Sequence, residues 1–168
     1  SFWGVAAHSL PVNDLAITSD GKILVSCSDD NLIRVWDLAA RRKLYELDSS
    51  YFTGSIRAVA VSADDAFLAA GGTSGYLYQW KFLTSPLPAG ERLQLRTDIV
   101  PVASRIWSIQ YIRDDKDLLV GVDEGESITY NASRVGYAGV VREFEIPARQ
   151  KDLYDAYGSS FDFASHSV

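Results

Sequence analysis

The stretch LVSCSDDNLIRVW at residues 24–36 aligns without a gap with LAAGGTSGYLYQW at residues 68–80. The preceding residues match in the same way, since VNDLAITSDG at 12–21 aligns with IRAVAVSADD at 56–65. The pattern returns a third time as IWSIQYIRDD at 106–115. Three matches of this length indicate an internal repeat of about 40 to 50 residues.

Each repeat carries the signals of short β-strands. In the first repeat, two apolar runs are separated by Asp-Gly at 20–21, a dipeptide typical of hairpin turns. Acidic pairs at 64–65 and 114–115 occupy the same turn in the other repeats, and we interpret them as turn formers rather than acid–base pairs. The runs at 44–47 and 93–95 alternate like half-exposed outer strands. Four short strands per repeat predict the blade of a β-propeller.

The order of strands in the third repeat is ambiguous. Residues 140–146 (VVREFEI) echo the third strand of repeat one, with Phe144 in the place of its tryptophan, and we favour this assignment. Residues 126–139, which are rich in Tyr, Ser and Gly, then form an insertion. The alternative places the third strand at residues 127–131, with Tyr130 in the place of the tryptophan.

Repeat one holds a spaced set of polar and aromatic residues, namely His8, Ser26, Asp30 and Trp36, with Asp37 next in the chain. At these positions it resembles a near-consensus member of the WD40 family. In that family the four residues form a buried chain of hydrogen bonds that joins the strands of a blade, and the resemblance implies the same role here. A buried indole N–H needs an acceptor, which Ser26 offers, and Asp30 can fix the tautomer of His8.

The other repeats depart from this signature. Repeat two keeps Trp80 but has Phe52, Ala70 and Ser74 at the remaining positions, so we expect apolar packing to hold its blade. The resemblance, which covers about 140 of the 168 residues, implies an all-β fold. It implies a partial WD40-type β-propeller of about three four-stranded antiparallel blades. We place these blades at residues 8–48, 52–97 and 102–164.

Three blades are too few for a closed ring, since propellers close with about four to eight. An open ring leaves bare strand edges, which invite pairing with another chain. We therefore expect the sequence to be part of a longer protein whose missing sequence supplies the rest of the propeller. The alternative is self-association, with several copies completing the ring.

Composition argues against several kinds of partner. The chain has 16 basic and 22 acidic residues, a net charge of −6 and no basic stripe, so we expect no nucleic-acid partner. No apolar run approaches the roughly 20 residues that span a bilayer, and we expect no membrane partner. With one cysteine, Cys27, and two histidines, we predict no metal site and no cofactor. We expect an intracellular protein, either cytoplasmic or nuclear.

We also predict no catalytic residues and a protein that is not an enzyme. Ser26, His8 and Asp30 are the residue types of a hydrolase triad, but the resemblance implies that they are buried, and Ser26 lacks the G-x-S-x-G elbow. The glycine-rich run GGTSG at 71–75 lacks both the spacing and the following helix of a dinucleotide-binding loop.

A binding surface is the more specific prediction. WD40 domains usually engage partners on the face that carries the loops between blades. The resemblance implies that residues flanking the first apolar position of each inner strand point to that face. By the repeat alignment these are Pro11, Asn13, Ser55, Arg57, Arg105 and Trp107, with Asp29, Thr73 and Asp123 added from the residue before the turn acid.

Among these positions we predict a contact patch of Arg57, Arg105 and Trp107, together with Asn13, Asp29 and Asp123. We expect the insertion 126–139 to rise from the same face and to belong to this patch. Trp107 stands out because its counterparts in the other repeats are polar, and because Trp and Arg are enriched at interface hot spots. The alternative is that Trp107 packs beneath the segment 126–139 and serves only the fold.

The sequence therefore predicts a protein- or peptide-binding scaffold within a larger WD-repeat protein. One alternative is a regulatory or sensor propeller fused to a catalytic domain outside this chain, such as an NTPase, a kinase or a protease. A propeller enzyme is a third reading, but it needs inward-facing charged or metal-binding residues from several blades, and we identify none.

Overall fold

A computed structural model describes residues 6–47, 53–93, 100–102 and 104–123, together with two strands at 127–131 and 140–143. These ranges contain twelve β-strands and no α-helix. The strands form three four-stranded antiparallel sheets, in each of which spatial neighbours follow chain order. The all-β expectation is therefore confirmed.

Sheet one contains β1 (Val12–Ile17), β2 (Ile23–Ser28), β3 (Ile33–Asp37) and β4 (Arg42–Leu47). Sheet two contains β5 (Ile56–Val61), β6 (Phe67–Gly72), β7 (Tyr76–Lys81) and β8 (Val100–Pro101). Sheet three contains β9 (Ile106–Ile112), β10 (Asp117–Val122), β11 (Ser127–Asn131) and β12 (Val140–Glu143). The first strands of the three sheets, β1, β5 and β9, lie side by side.

The sheets pack face to face through two apolar clusters. The cluster between sheets one and two includes Val25, Val35, Ile56, Val59 and Trp80. The cluster between sheets two and three includes Ala69, Leu77, Ile106, Ile109 and Leu118. Each cluster joins one face of a sheet to the opposite face of the next, which is how successive propeller blades pack.

The turn between the first two strands of a sheet also joins it to the preceding sheet. The Asp65 carboxylate accepts hydrogen bonds from the backbone N–H of Ser19 at 2.8 Å and from its hydroxyl at 2.6 Å. Asp115 repeats the contact one sheet later, accepting from the backbone N–H groups of Ala63 at 2.9 Å and Asp64 at 3.2 Å. These aspartates therefore form turns, as the sequence suggests, and in addition clamp neighbouring sheets together.

The favoured assignment of the third strand in sheet three, at residues 140–146, is wrong. Its third strand is β11, which pairs with β10, and residues 140–143 form the fourth strand, β12. Tyr130, not Phe144, takes the register position of the tryptophan, because it lies opposite Leu118. A direct hairpin from β10 to β11 closes a much shorter loop than one through residue 139, and loop-closure entropy favours the shorter connection.

The predicted insertion 126–139 is therefore wrong for residues 127–131, which are strand, and residues 126 and 132–139 lie outside the described residues. The predicted outer strand at 93–95 is also wrong where the structure describes it, since Leu93 is not in a strand. The strand that pairs with β7 is Val100–Pro101, so sheet two extends beyond the predicted end at residue 97. The predicted remainder of the third blade, residues 144–164, lies outside the described residues.

Sheet one has an apolar face that no other described sheet covers. Along β1, Val12, Leu15 and Ile17 are 46%, 57% and 52% exposed. The equivalents of the first two in sheet two, Ile56 and Val59, are 1% and 3% exposed because sheet one packs against them. We call the three β1 residues the open face of sheet one.

Candidate interaction surface

A β-bulge occurs near the start of the inner strand in every sheet. In sheet one the register shifts between Val12 and Asp14, which leaves Asn13 without a partner in the ladder. The same shift occurs at Arg57 in sheet two and at Trp107 in sheet three. A bulge turns a side chain away from the regular alternation of a strand. Because the bulges are equivalent, the three side chains emerge at the same edge of adjacent sheets.

The first two of these side chains are joined across sheets one and two. Asn13 donates from Nδ2 to Asp29 Oδ1 at 2.9 Å and to the backbone carbonyl of Ile56 at 2.8 Å. Arg57 donates from Nη1 to Asn13 Oδ1 at 3.3 Å, and its Nη2 lies 3.2 Å from Asp29 Oδ1. Asp29 is thus shared by an amide of its own sheet and a guanidinium of the next.

The array continues from sheet two to sheet three through Trp107. The guanidinium carbons of Arg57 and Arg105 lie 5.4 and 5.8 Å from the centre of the indole ring, within cation–π range. The indole N–H donates to Asp123 Oδ1 at 2.6 Å, and Arg105 Nε donates to Asp123 Oδ2 at 2.9 Å. Trp107 itself remains 47% exposed.

The structure therefore brings all six predicted contact residues into one array, which we call the Trp107 ridge. Its members, in order across the three sheets, are Asp29, Asn13, Arg57, Trp107, Arg105 and Asp123. Of the neighbouring predicted positions, Pro11 is exposed, and Ser55 and Thr73 are half-buried. Thr73 donates from its backbone N–H to the Ser55 carbonyl at 3.0 Å, which holds those two loops together.

The two carboxylates of the ridge are stabilised in their charged form. The hydrogen bond from Asn13 lowers the pKa of Asp29 below its ordinary value, with further contributions from Ser55 and Arg57. The pKa of Asp123 is lowered by the hydrogen bond from the Trp107 indole and then by Arg105. Two ionised carboxylates and two guanidinium groups give the ridge a formal charge of zero.

The four signature residues of repeat one also meet. Trp36 donates from Nε1 to Ser26 Oγ at 3.0 Å, and Ser26 Oγ lies 2.8 Å from His8 Nε2. His8 Nδ1 lies 3.0 Å from both carboxylate oxygens of Asp30. If Nδ1 carries the proton, every bond has a donor and an acceptor, running from indole to hydroxyl to imidazole to carboxylate.

Burial decides what this chain of hydrogen bonds can do. Ser26 is 2% exposed, and the His8 and Asp30 side chains are 0% and 5% exposed. A catalytic serine must be reachable by a substrate beside an oxyanion hole, and Ser26 is not. Burial acts to raise the pKa of Asp30, but hydrogen bonds from the Ser9 amide and from His8 outweigh it, and the pKa is lowered. The geometry suits a structural tie between strands.

Sequence reasoning did not single out Arg34, which supports the same group. Its Nη1 lies 3.5 Å from Asp30 Oδ2 and donates to the carbonyl of Ala7, while its Nε donates to Glu46 Oε2 at 3.1 Å. One side chain thus joins the N-terminal segment, the turn and the outer strand β4. A signal was present, since Arg34 lies two residues before Trp36 in a run that is otherwise apolar.

In the described part of the chain, no group of three or more His, Cys, Asp or Glu side chains is arranged to hold a metal ion. The same residues include no helix of the length and hydrophobicity needed to cross a membrane.

Parts of the sequence are similar to a known protein family and to several known proteins. Residues 4–37 and 42–81 match the family described as WD domain, G-beta repeat. The chain is 24% identical over 145 residues to eukaryotic translation initiation factor 3 subunit I of Schizosaccharomyces pombe, covering 86% of this chain. It is 33% identical over 76 residues to the target of rapamycin complex subunit wat1 of the same yeast, covering 45% of this chain. It is 30% identical over 94 residues to the small ribosomal subunit protein RACK1 of Medicago sativa, covering 56% of this chain.

The matches cover only part of each relative, at 38%, 24% and 28% of their lengths in the same order. Among solved structures, the crystal structure of RRP9 WD40 repeats superposes with a TM-score of 0.59 at 20% sequence identity. That superposition covers 76% of this chain and 37% of the other. At this level of identity the likeness establishes the propeller fold alone.

Proposed function

We propose that this chain, which carries WD40 repeats, is a scaffold domain that binds protein or peptide partners through the Trp107 ridge. The observation that carries the proposal is the continuity of the ridge. Six side chains from three sheets form one connected array, and an exposed tryptophan lies within it. Exposure of Trp107 favours a surface role over a role in packing alone.

The ridge has the physical properties of a recognition surface. Its side chains are held by hydrogen bonds and ion pairs before any partner arrives, so less conformational entropy is lost on binding. Trp and Arg dominate the hot spots of protein interfaces. Binding through such a surface needs rigid complementarity and no covalent chemistry, and we propose that the chain itself is not an enzyme.

The names of the relatives support a role in assemblies. They describe a subunit of a translation initiation factor, a subunit of the target of rapamycin complex and a protein of the small ribosomal subunit. A component of an assembly needs surfaces that hold neighbours in place, which is the role proposed for the ridge. That role predicts protein or peptide partners rather than nucleic acid or membrane, and a cytoplasmic or nuclear location.

We further propose that more blades of the same polypeptide cover the open face of sheet one. Of the equivalent residues in sheet two, Ile56 and Val59 are buried and Val61 is partly buried against the sheet that precedes them. The open face of sheet one therefore has the chemistry of a blade interface. Light scattering after size exclusion tests this proposal on the 168-residue chain. We expect a monomer at low concentration whose average mass rises with concentration without reaching a fixed oligomer, whereas a closed oligomer of uniform mass would show instead that copies complete the ring.

The ridge is tested by selecting peptides on the chain from a random phage-displayed library. Hot-spot truncations cost about 2 kcal/mol or more, so Trp107→Ala should weaken the selected peptides by about 30-fold. Ile17→Ala is the control, because it removes an exposed apolar side chain from the far end of β1. If the peptides bind Trp107→Ala as tightly as the unmodified chain, the ridge is not the binding surface.

A further inference from the structure

We infer that the Trp107 ridge selects a peptide segment that presents a large apolar or aromatic side chain next to a carboxylate. The same geometry rejects methylated lysine, the usual ligand of exposed aromatic side chains that act as cation receptors. This inference rests on the proposed function and adds to it the chemistry of the partner.

Two cations lie close to the indole ring of Trp107. Arg57 and Arg105 both place a guanidinium group within 6 Å of the ring centre. The negative electrostatic potential of the indole ring is therefore already used by two cations of the protein. A methylated lysine approaching Trp107 would meet two like charges in place of an open aromatic face.

Trp107 offers a partner an apolar surface and no free polar group. Its N–H is its one polar group, and it already donates to Asp123 at 2.6 Å. A ligand that accepted from this N–H would have to displace an ionised carboxylate whose pKa this same bond lowers. The exposed remainder of the side chain is apolar, so it gains most from an apolar or aromatic side chain laid against it.

The charge that a ligand meets beside the indole is that of Arg105. The carboxylates of Asp29 and Asp123 lie at the two ends of the ridge, and each is already engaged by an arginine. The Arg105 side chain is 58% exposed, compared with 30% for its partner Asp123. Arginine presents several N–H donors in a planar fork that suits carboxylates. A carboxylate next to the apolar anchor would therefore face the most exposed charge of the ridge.

The net charge of the chain, −6, opposes an acidic ligand at long range. At physiological ionic strength, however, the Debye length is about 8 Å, and surface charges further away are largely screened. The guanidinium group beside Trp107 therefore decides the preference of a ligand that is already in contact.

The test measures binding to the full 168-residue chain with ¹⁵N-labelled tryptophan side chains. The chain has four tryptophans, and Trp107→Phe identifies which indole N–H signal belongs to the ridge. The probes are octapeptides of Gly and Ser with a central Phe-Glu, Phe-Gln or Phe-Lys, and a fourth with trimethyl-lysine in place of Phe-Glu. We expect Phe-Glu to shift the Trp107 signal and to bind at least ten-fold tighter than Phe-Gln. Phe-Lys and trimethyl-lysine should leave that signal unchanged at the same concentrations.

The charged contact is tested with Arg105→Gln, which removes the guanidinium group but keeps a polar side chain. In this variant we expect the preference for Phe-Glu over Phe-Gln to fall below two-fold. Equal binding of Phe-Glu and Phe-Gln by the unmodified chain, or tighter binding of trimethyl-lysine, would overturn the inference.

The phage selection separates this inference from the proposed function. Peptides that depend on Trp107 but lack an apolar residue next to an acid would overturn the inference and leave the binding platform in place. If neither the octapeptides nor any selected peptide depends on Trp107, the proposed function itself fails.

Discussion

Sheets one and two share a strand order and a register, yet they surround their tryptophans with different chemistry. Trp36 lies opposite Leu24, and Trp80 lies opposite Leu68, in the same register. In sheet one the indole donates to a buried serine. In sheet two the serine position is Ala70, which is fully buried in an apolar cluster.

A second substitution accompanies the first. Arg34, which pairs with Asp30 and Glu46 in sheet one, is replaced by Tyr78 in sheet two. The Tyr78 ring stacks on Trp80 with 5.7 Å between ring centres and 5° between planes. A polar network and an aromatic stack therefore occupy equivalent positions and support the same backbone. Strand pattern and apolar burial therefore determine the blade, while the hydrogen-bonded chain is one of two ways to stabilise it.

The largest loss of stability is expected from removing the buried tryptophan of sheet two. Trp80→Ala should destabilise the chain by about 3 to 5 kcal/mol, because it empties a fully buried site in the cluster between sheets one and two. Urea unfolding followed by circular dichroism measures the change. Tyr76→Ala, in the same strand but exposed, should change stability far less. A small effect of Trp80→Ala would show that packing does not hold sheet two.

A smaller effect is expected in sheet one. Ser26→Ala leaves the Trp36 N–H and the His8 ring without their shared partner, and an unsatisfied buried polar group costs about 1 to 3 kcal/mol. Trp36→Phe should have an effect of similar size, because it removes the donor at the start of the chain of bonds. Thermal unfolding is the measurement. An unchanged melting curve for both variants would contradict a stabilising role for the network.

The hydrogen-bonded network of sheet one also predicts how the stability of the chain depends on pH. Because the pKa of Asp30 is lowered on folding, the unfolded chain takes up its proton first as the pH falls below the ordinary value of 3.8. The stability that Asp30 contributes is thus fully present above that value and is lost as the pH falls through the lowered pKa. Between about pH 4 and pH 2, urea unfolding of Asp30→Asn should vary less with pH than that of the unmodified chain. Parallel curves for the two proteins would show that Asp30 makes no such contribution.

The smallest effect on stability is expected on the ridge. Trp107→Ala removes a half-exposed side chain with two cation–π contacts and should change the free energy of unfolding by about 1 kcal/mol or less, even though we expect it to weaken peptide binding. The same urea titration used for Trp80→Ala provides the measurement. If Trp107→Ala unfolds the chain, then Trp107 belongs to the core and the proposed function loses its main support.

Much of the fold could be read from local patterns in the sequence. Turn residues at 20–21 and 64–65 and the short apolar runs around them predicted the first two strands of each repeat, because turn chemistry and alternation act locally. The predicted strand pairing in sheet three was wrong because residues 127–131 and 140–146 both have the sequence pattern of a strand. Which of them pairs with β10 depends on loop closure, and side-chain patterns do not encode that choice.

The ridge shows the same division between local and non-local information. The repeat alignment located Arg57 and Trp107 at equivalent positions, so their common edge could be predicted. Their contact could not, because it depends on bulges that appear only when the strands pair and on the packing of one sheet against the next. The hydrogen bond from Ser19 to Asp65 was not predicted either, because it joins residues 46 positions apart and depends on the packing of one sheet against the next.

The repeated bulge places variable side chains where the fold does not depend on them. The residue at each bulge neither pairs in the ladder nor contributes to the apolar clusters described above, so many side chains are compatible with the backbone there. Three consecutive blades hold an asparagine, an arginine and a tryptophan at this one position. If partners bind at the Trp107 ridge as proposed, single substitutions at these three bulge positions would change which partner is bound without any change to the apolar core.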